Sequence, residues 1–493
     1  MMATKNFLAF DLGAESGRAV LGRLSGEKLT LEEKHRFLNP NGKLHGHLYW
    51  NLLGQWEELK AGLRKTASAE PGLRLDGIGV DTWGVDFGLL GKNGELLGNP
   101  YHYRDTRTDG MMERAFARVP REKIFETTGV QFMQINTLYQ VLSMVESKSS
   151  LLDAAGTLLF IPDLFNSLFT GIHKSEFSVA TTSQMYDPRK KAWATDMLRA
   201  LGIPTNILPE IVPSGTILGP LLKDVAADTG VGEVPVIAPA THDTASAVAA
   251  VPATGGSWCY ISSGTWSLMG VELTEPLINE KSLKYNYTNE GGVGGTIRFL
   301  KNIMGMWMVQ ECRRHWQKEG YDHSYAELTQ MAARSEGLRS LINPNDKAFL
   351  TPGDFPAKVE SLCKQTKQPA PTTRGEFVRA CLDSLALMYR HTLEGLEDVL
   401  GRKIEVIHIV GGGTQNELLS QLTADACGRP VIAGPVEATS IGNILVQAMA
   451  TGDVKSLEHL RQIVRSSFEV KRFEPRKEGK WDEAYQRFGD LLG

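Results

Sequence analysis

Residues Phe7 to Leu24 read Phe-Leu-Ala-Phe-Asp-Leu-Gly-Ala-Glu-Ser-Gly-Arg-Ala-Val-Leu-Gly-Arg-Leu. An apolar run ends at Asp11, passes a turn of small residues and returns as a second apolar run. Such a turn presents backbone N–H groups where a larger side chain would obstruct, so it is suited to receive phosphate. The same form recurs mid-chain as Trp258-Cys-Tyr-Ile-Ser-Ser-Gly-Thr-Trp-Ser-Leu-Met-Gly-Val271. Two hairpins of one kind imply two similar lobes closing on one nucleotide, and that points to phosphoryl transfer. Neither turn is a Walker A or a G-x-G-x-x-G sequence, and each joins strand to strand, so no helix dipole supplies the anion site.

The chain has 493 residues, enough for two or three domains. Its net charge of −4 advertises neither nucleic-acid nor anionic-membrane binding. Five cysteines without C-x-x-C spacing fit a reducing compartment, with a Cys363–Cys381 pairing left open. No signal peptide or apolar run of membrane-spanning length is visible. The expected location is cytoplasmic.

Strands and helices alternate, which predicts an α/β fold. Predicted strands include Phe7–Asp11, Ala19–Arg23, Gly77–Asp81, Val85–Leu90, Val234–Pro239, Trp258–Ser262, Ser267–Glu272 and Val406–Val410. Predicted helices include Leu52–Ala67, Ala245–Ala250, Met306–Lys318, Gly375–Leu400 and Asn416–Cys427. Pro252, Gly255 and Gly256 mark a domain boundary. The expected organisation is a first domain over 5–250, a second over 256–452, and an extension over 453–493 packing on the core.

Asp11 ends a strand at the first turn, where an acid can hold Mg²⁺ through water while Gly13, Ser16, Gly17 and Arg18 face phosphate oxygens. A plain hairpin with a surface Arg is the bland alternative. In Val80-Asp-Thr-Trp-Gly-Val-Asp-Phe87, Gly84 would let a sugar approach the backbone. Trp83 offers a ring face to C–H groups, and Asp81 and Asp86 could accept hydroxyls; a buried strand with a Gly bulge explains the segment as well. Thr241-His-Asp-Thr-Ala-Ser-Ala247 is more pointed. A strand delivers His242, Asp243 and Thr244 to a small-residue helix, where a carboxylate can take the proton of a phosphoryl-acceptor hydroxyl. Helix capping by Asp243 or Thr244 is the alternative. In the second half, Ser263, Gly264 and Thr265 repeat the phosphate-turn chemistry. The segment Asn289–Gly305 reads as a glycine-rich approach to a helix, with Asn302 and Gln310 as neutral ligand-orienting groups; taken alone, the segment reads better as a flexible loop followed by a polar helix face. The triple glycine Gly411-Gly412-Gly413 leaves room for a purine or ribose against the backbone; a tight βα turn is the alternative, though three glycines exceed what a turn needs.

Taken in order from about Phe7 to Gly452, these segments resemble the FGGY carbohydrate kinases. The motifs carrying the resemblance are Asp-Leu-Gly-Ala-Glu-Ser-Gly-Arg, Val-Asp-Thr-Trp-Gly-Val-Asp-Phe, Thr-His-Asp-Thr-Ala-Ser-Ala, Ser-Ser-Gly-Thr-Trp-Ser-Leu, Leu-Lys-Asn-Ile-Met-Gly and Val-Gly-Gly-Gly-Thr-Gln-Asn. The resemblance implies a two-lobed actin-like, ribonuclease H-like ATPase fold with an interlobe cleft. It implies transfer of the ATP γ-phosphoryl group to O1 of L-rhamnulose; L-fuculose, D-xylulose and a non-catalytic sugar-responsive protein are the rivals. It implies Asp243 as general base, with Gly84, His242, Thr244 and Asn302 on the sugar beside the Trp83 and Asp86 read above. Ala14, Glu15, Ser16, Gly17, Arg18, Thr265, Gln310 and Gly412 would meet ATP, and Asp11 would serve Mg²⁺ through water. Glu15 stands where many members carry Ser or Thr; it either turns outward or helps Mg²⁺. The implied partners are the sugar and ATP, with no nucleic acid and no membrane, in a monomer or homodimer.

Overall fold

The computed structural model describes residues 4–476 and 480–492; residues 477–479 and 493 of the 453–493 extension lie outside the described residues. The elements that position the site are, in chain order, β1 (Lys5–Leu12), β2 (Ser16–Ser25), β3 (Lys28–Leu38), α1 (Leu52–Ala69), β4 (Gly77–Thr82), β5 (Thr216–Pro220), β6 (Pro235–Ala238), α2 (Asp243–Ala249), β7 (Trp258–Ser263), β8 (Trp266–Leu273), β9 (Thr288–Gly291), β10 (Ile297–Met304), α3 (Trp307–Lys318), α4 (Arg374–Leu400), β11 (Val406–Val410), α5 (Glu417–Cys427), β12 (Val431–Ala433), α6 (Ala438–Ala450) and β13 (Lys471–Phe473). They fall into two compact units. One comprises Met1–Pro252, Glu272–Leu300 and Ala438–Phe468; the other comprises Ala253–Val271, Lys301–Glu437 and Glu469–Gly493.

The first unit holds a mixed sheet in the order β3-β2-β1-β4-β6-β5. β1 and β2 form the antiparallel opening hairpin, with Asp11 directly opposite Arg18. β1 then pairs in parallel with β4, Asp11 beside Asp81, and β4 pairs in parallel with β6. All of β4 is buried, as are Phe7 to Leu12 of β1. This is the apolar signature of parallel strands covered on both faces. Between the strands, residues 87–207 build an apolar core of their own around Phe125, Tyr139, Leu142, Phe160 and Leu198.

The second unit repeats the plan with strands in the order β10-β8-β7-β11-β12-β13, and β9 extends this sheet to seven strands beside β10. β7 and β8 are antiparallel, and β7 is parallel to β11. β10 carries the chain from the first unit into the second, and its first half forms a hairpin with β9. The segment predicted as a glycine-rich approach to a helix is therefore a strand pair. α4 starts at a capping box, Thr373 with Glu376, and stops at Gly401, whose φ of 65° ends the helix in the left-handed form. Cys381, Leu385, Met388 and Leu396 of its apolar stripe are buried. Among the described residues, no helix is long and apolar enough to cross a membrane.

All five cysteines are free and buried, so the pairing left open between Cys363 and Cys381 is absent. Buried thiols are inert to bulky reagents. Ellman's reagent should therefore label about no thiol in the native protein and all five in denaturant, whereas fast native labelling would contradict the burial of these side chains.

Candidate active site

In the first unit three acids are delivered by neighbouring parallel strands. Asp11 and Asp81 sit in register near the ends of β1 and β4. Thr82 N donates to Thr241 O at 2.9 Å, which ties the end of β4 to the junction carrying His242 and Asp243. Carboxyl ends of parallel strands are where open α/β sheets place their chemistry.

Asp243 is the first residue of α2, and the N-cap residue, His242, makes no side-chain cap bond. The one side-chain bond to the first-turn N–H groups comes from Asp243 and uses only one of its two oxygens. Asp243 Oδ1 accepts from Thr244 N at 2.5 Å and Thr244 Oγ1 at 3.1 Å. His242 Nε2 lies 3.4 Å from the same oxygen. Oδ2 is left for an incoming donor, and the side chain keeps 31 % of its surface exposed. Burial raises the Asp243 carboxyl above its ordinary value; His242 pulls the other way and the charge of Asp11 adds to the rise.

The junction is held by a buried carboxylate that the sequence did not reveal. Glu176 Oε2 accepts from Thr241 N at 3.0 Å and Thr241 Oγ1 at 2.8 Å, and its Oε1 accepts from Ser214 Oγ at 2.6 Å. Ser178 Oγ donates to Glu176 and accepts from His242 N at 3.1 Å. Arg298, fully buried on β10, reaches His242 Nδ1 at 3.1 Å and Glu290 Oε2 at 3.2 Å.

Asp11 Oδ2 accepts from Arg18 Nη2 at 2.9 Å and from Ser440 Oγ at 3.0 Å. Arg18, expected on phosphate, is thus ion-paired with the expected metal residue. Asp81 Oδ2 accepts from Asn443 Nδ2 at 2.6 Å, while its Oδ1 is buried with no partner. Burial, then the charge of Asp11, pushes the Asp81 carboxyl well above the usual range. A cation beside the two acids would offset the charge that Asp11 sets against Asp81. Oxygen donors of this kind suit Mg²⁺, which usually keeps waters and phosphate ligands. Among the described residues, no three His, Cys, Asp or Glu side chains converge to cage a metal by themselves.

The opening turn is fixed by Asn39, whose Nδ2 donates to Gly13 O at 2.8 Å and whose N donates to Glu15 O at 2.9 Å. Ala14, Glu15 and Ser16 are half-buried. Gly17 is required by packing, since a Cβ there would meet the Phe37 ring at 2.3 Å.

The segment after β4 holds a correction. Asp86 was expected to accept sugar hydroxyls. It is wholly buried, and its oxygens accept from Trp50 Nε1 at 2.6 Å, Trp83 Nε1 at 3.0 Å, Tyr103 N at 3.1 Å and Gln140 Nε2 at 2.9 Å. Three of these donors meet Oδ2 and one meets Oδ1, and no part of the side chain is open to a ligand. Asp86 therefore aligns two indoles rather than touching ligand. Burial raises its pKa to about 6 against these donors. Trp83 is itself buried, one face against Trp50 with centroids 4.0 Å apart. Between them Val85 adopts φ 66°, an outlying conformation for a β-branched residue. It is pinned by Thr182 Oγ1 accepting from Val85 N and Thr137 Oγ1 donating to Val85 O. Such backbone costs about 1–3 kcal/mol and persists where the surroundings over-determine it.

Asp86→Asn turns one oxygen into an NH₂ group. If the remaining oxygen faces Trp50, Trp83 and Tyr103, the NH₂ confronts Gln140 Nε2, which also donates to Ile135 O at 2.9 Å and so resists flipping. The expected loss is about 2 kcal/mol of stability with a raised sugar KM, read by thermal unfolding and kinetics. Raising pH through 6 ionises wild-type Asp86 at a cost to the fold; because its folded pKa exceeds its unfolded one, that stabilisation is present at low pH and lost on the way up.

In the second unit the turn 263–266 is closed by the start of α3. Gly305 N and Trp307 N donate to Thr265 O at 3.1 and 3.2 Å, and Met306 N donates to Gly264 O at 3.0 Å. Gln310, one turn into α3, has its Oε1 buried without a partner. After β11, Gly411 takes φ 89°, and a Cβ on Gly413 would strike Ser263 Oγ at 2.0 Å, while Gly412 faces open space. Thr265, Gln310 and Gly412 thus belong to one unit, with the half-buried Asn302 on β10. His242, Asp243, Thr244, Trp83, Gly84 and Asp11 to Arg18 belong to the other.

One repeated α/β plan, with a strand-end acid turn in one copy and an open glycine in the other, defines a two-unit α/β phosphotransferase. The N-terminal domain of the FGGY family of carbohydrate kinases matches residues 6–250, and its C-terminal domain matches residues 259–451. The chain belongs to the FGGY family of carbohydrate kinases. It is 44 % identical over 488 residues to a rhamnulokinase of Bacteroides thetaiotaomicron, covering 99 % of each chain. It is 42 % identical over 467 residues to a rhamnulokinase of Enterococcus faecalis, covering 94 % of this chain and 93 % of that one. In fold it is similar to a ligand-bound xylulose kinase of Lactobacillus acidophilus, with TM-score 0.80 and 16 % identity over 99 % of this chain and 97 % of that one. It is also similar to the glycerol kinase of Plasmodium falciparum with ADP, with TM-score 0.78 and 14 % identity over 99 % and 98 %.

Proposed function

We propose that this protein transfers the γ-phosphoryl group of ATP to O1 of L-rhamnulose, giving L-rhamnulose 1-phosphate and ADP in L-rhamnose degradation. The observation that carries the substrate is the 44 % likeness, over nearly all of both chains, to a rhamnulokinase. The reaction balances on this chain's own groups. The O1–H proton passes to Asp243 Oδ2, the O1–phosphorus bond forms, and the bond to the ADP oxygen breaks. Oδ1 stays with Thr244 and His242, so the base presents one defined oxygen. His242, Thr244, Gly84, Trp83 and Asn302 orient the sugar, and Asp86 holds Trp83 in place.

Ala14 to Arg18, Thr265, Gln310 and Gly412 take ATP. The unpaired Gln310 Oε1 and the open side of Gly412 favour that assignment. Asp11, through water, would hold Mg²⁺, which when bound supplies charge neutralisation on the phosphates. Five buried free thiols fit a reducing compartment, and we place the protein in the cytoplasm.

A coupled ADP-release assay with L-rhamnulose, L-fuculose and D-xylulose side by side tests the substrate. L-Rhamnulose should give the highest kcat/KM by at least about tenfold, the discrimination expected of a site built to hydrogen-bond particular hydroxyls. A higher value for either rival overturns the assignment.

A further inference from the structure

The base is not oriented by its own helix alone. Arg298 is 0 % exposed, donates from Nε to Gly291 O at 2.8 Å, and brings Nη2 to 3.1 Å from His242 Nδ1. A guanidinium only donates, so Nδ1 must present its lone pair. The imidazole proton then sits on Nε2, the nitrogen 3.4 Å from Asp243 Oδ1. The opposite tautomer would set N–H against N–H. Glu290, whose Oε2 lies 3.5 Å from Nδ1 and 3.2 Å from Arg298 Nη2, balances the guanidinium charge and is the competing acceptor for an Nδ1 proton. Among the described residues, Glu290, Arg298 and Asp243 are the charged groups that lie against this ring.

Building on the proposed role of Asp243, we propose that Arg298 is a positioning residue for phosphoryl transfer. By fixing His242 as the Nε2–H tautomer it places a proton rather than a lone pair on the nitrogen 3.4 Å from Asp243 Oδ1, and leaves Oδ2 as the oxygen that takes the acceptor proton. Partners that fix a histidine's tautomer in this way tune what the ring can do at its other nitrogen. The sequence hint is slight: Arg298 is one charge within the apolar run Ile297-Arg-Phe-Leu300.

The test uses the full chain with ¹⁵N-labelled histidine. A long-range ¹H–¹⁵N spectrum at pH 7.5, with the His242 signals assigned by their loss in His242→Gln, should show a neutral ring protonated at Nε2. Arg298→Met should lose that tautomer, because Nδ1 can then carry a proton toward Glu290. Its kcat should fall about 30-fold, within the range of a misdirected acid–base pair, and Arg298→Lys should recover most of it. An Nδ1–H ring in the wild type overturns the proposal. So does a folded Arg298→Met that keeps the tautomer, or one with kcat within twofold. Should Arg298→Met fail to fold, the wild-type spectrum still decides the tautomer and Arg298→Lys carries the kinetics. The spectrum needs no sugar, so the expected tautomer in a protein inactive on every ketose would count against the substrate assignment and not against this one.

Discussion

Asp243→Asn should lower kcat by about 10³-fold while leaving sugar affinity within about threefold, because a carboxamide accepts hydrogen bonds but cannot take the acceptor proton. The geometry favours a clean outcome. Oδ1 already serves Thr244 N and Thr244 Oγ1, and an amide oxygen can replace it there. What is lost is the basic Oδ2. Single-turnover ADP release measures the rate, and sugar-dependent thermal stabilisation measures binding. In the wild type the acid limb of kcat should lie above the ordinary carboxylate range, since burial raises the Asp243 pKa and the base works only when ionised. Activity is therefore present above that pKa and falls as the pH drops through it. A kcat in Asp243→Asn within a few-fold of wild type would remove Asp243 from the chemistry.

Gly442→Ala should be strongly damaging although Gly442 is none of the residues assigned to sugar, ATP or metal. α6 crosses α2 so closely that a Cβ on Gly442 would lie 1.8 Å from Ser246 O, with the Ser246 carbonyl carbon at 2.5 Å. The obstacle is backbone and cannot rotate away. Ser246 is moreover held by its Oγ, which donates to Ala240 O at 2.7 Å. The helices must part, at about 1–3 kcal/mol for overpacking. α2 begins with Asp243, so the displacement reaches the base, and about 1 Å of misplacement can cost 10²-fold in rate. Thermal unfolding and kcat should thus fall together, with Asp243 still present. An unchanged melting temperature with unchanged kcat would mean that the crossing is looser than the contact implies.

How much of this was written in the sequence depends on how local each feature is. Both hairpins were legible because an apolar run, a small-residue turn and a second run lie within about twenty residues. The strand Val406–Val410 was read with its observed ends. β3 was not read, because Lys28–Leu38 is an edge strand whose Glu32, Glu33 and Lys34 look like a solvated loop. The β9–β10 hairpin was hidden by Gly291, Gly292, Gly294 and Gly295, which read as flexibility. The triad of His242, Asp243 and Thr244 stood out because a strand leads straight into a helix there. The residues that hold it did not. Glu176 acts on Thr241 from 65 positions away, and Arg298 acts on His242 from 56. Asp86 looked like a ligand group because nothing near it in sequence discloses Trp50 or Gln140 as donors. Long-range partners decide whether a buried acid serves the fold or the substrate, and a single sequence does not display them.

The most direct measurement is a ³¹P spectrum of the full chain with ATP, Mg²⁺ and L-rhamnulose, followed as the reaction runs and correlated to sugar protons. The account predicts that the γ-phosphoryl signal of ATP declines while one phosphomonoester grows, coupled to the C1 methylene protons, and that Asp243→Asn abolishes both changes. A γ signal that stays constant, inorganic phosphate as the only product, or a phosphate coupled to any other carbon would contradict it.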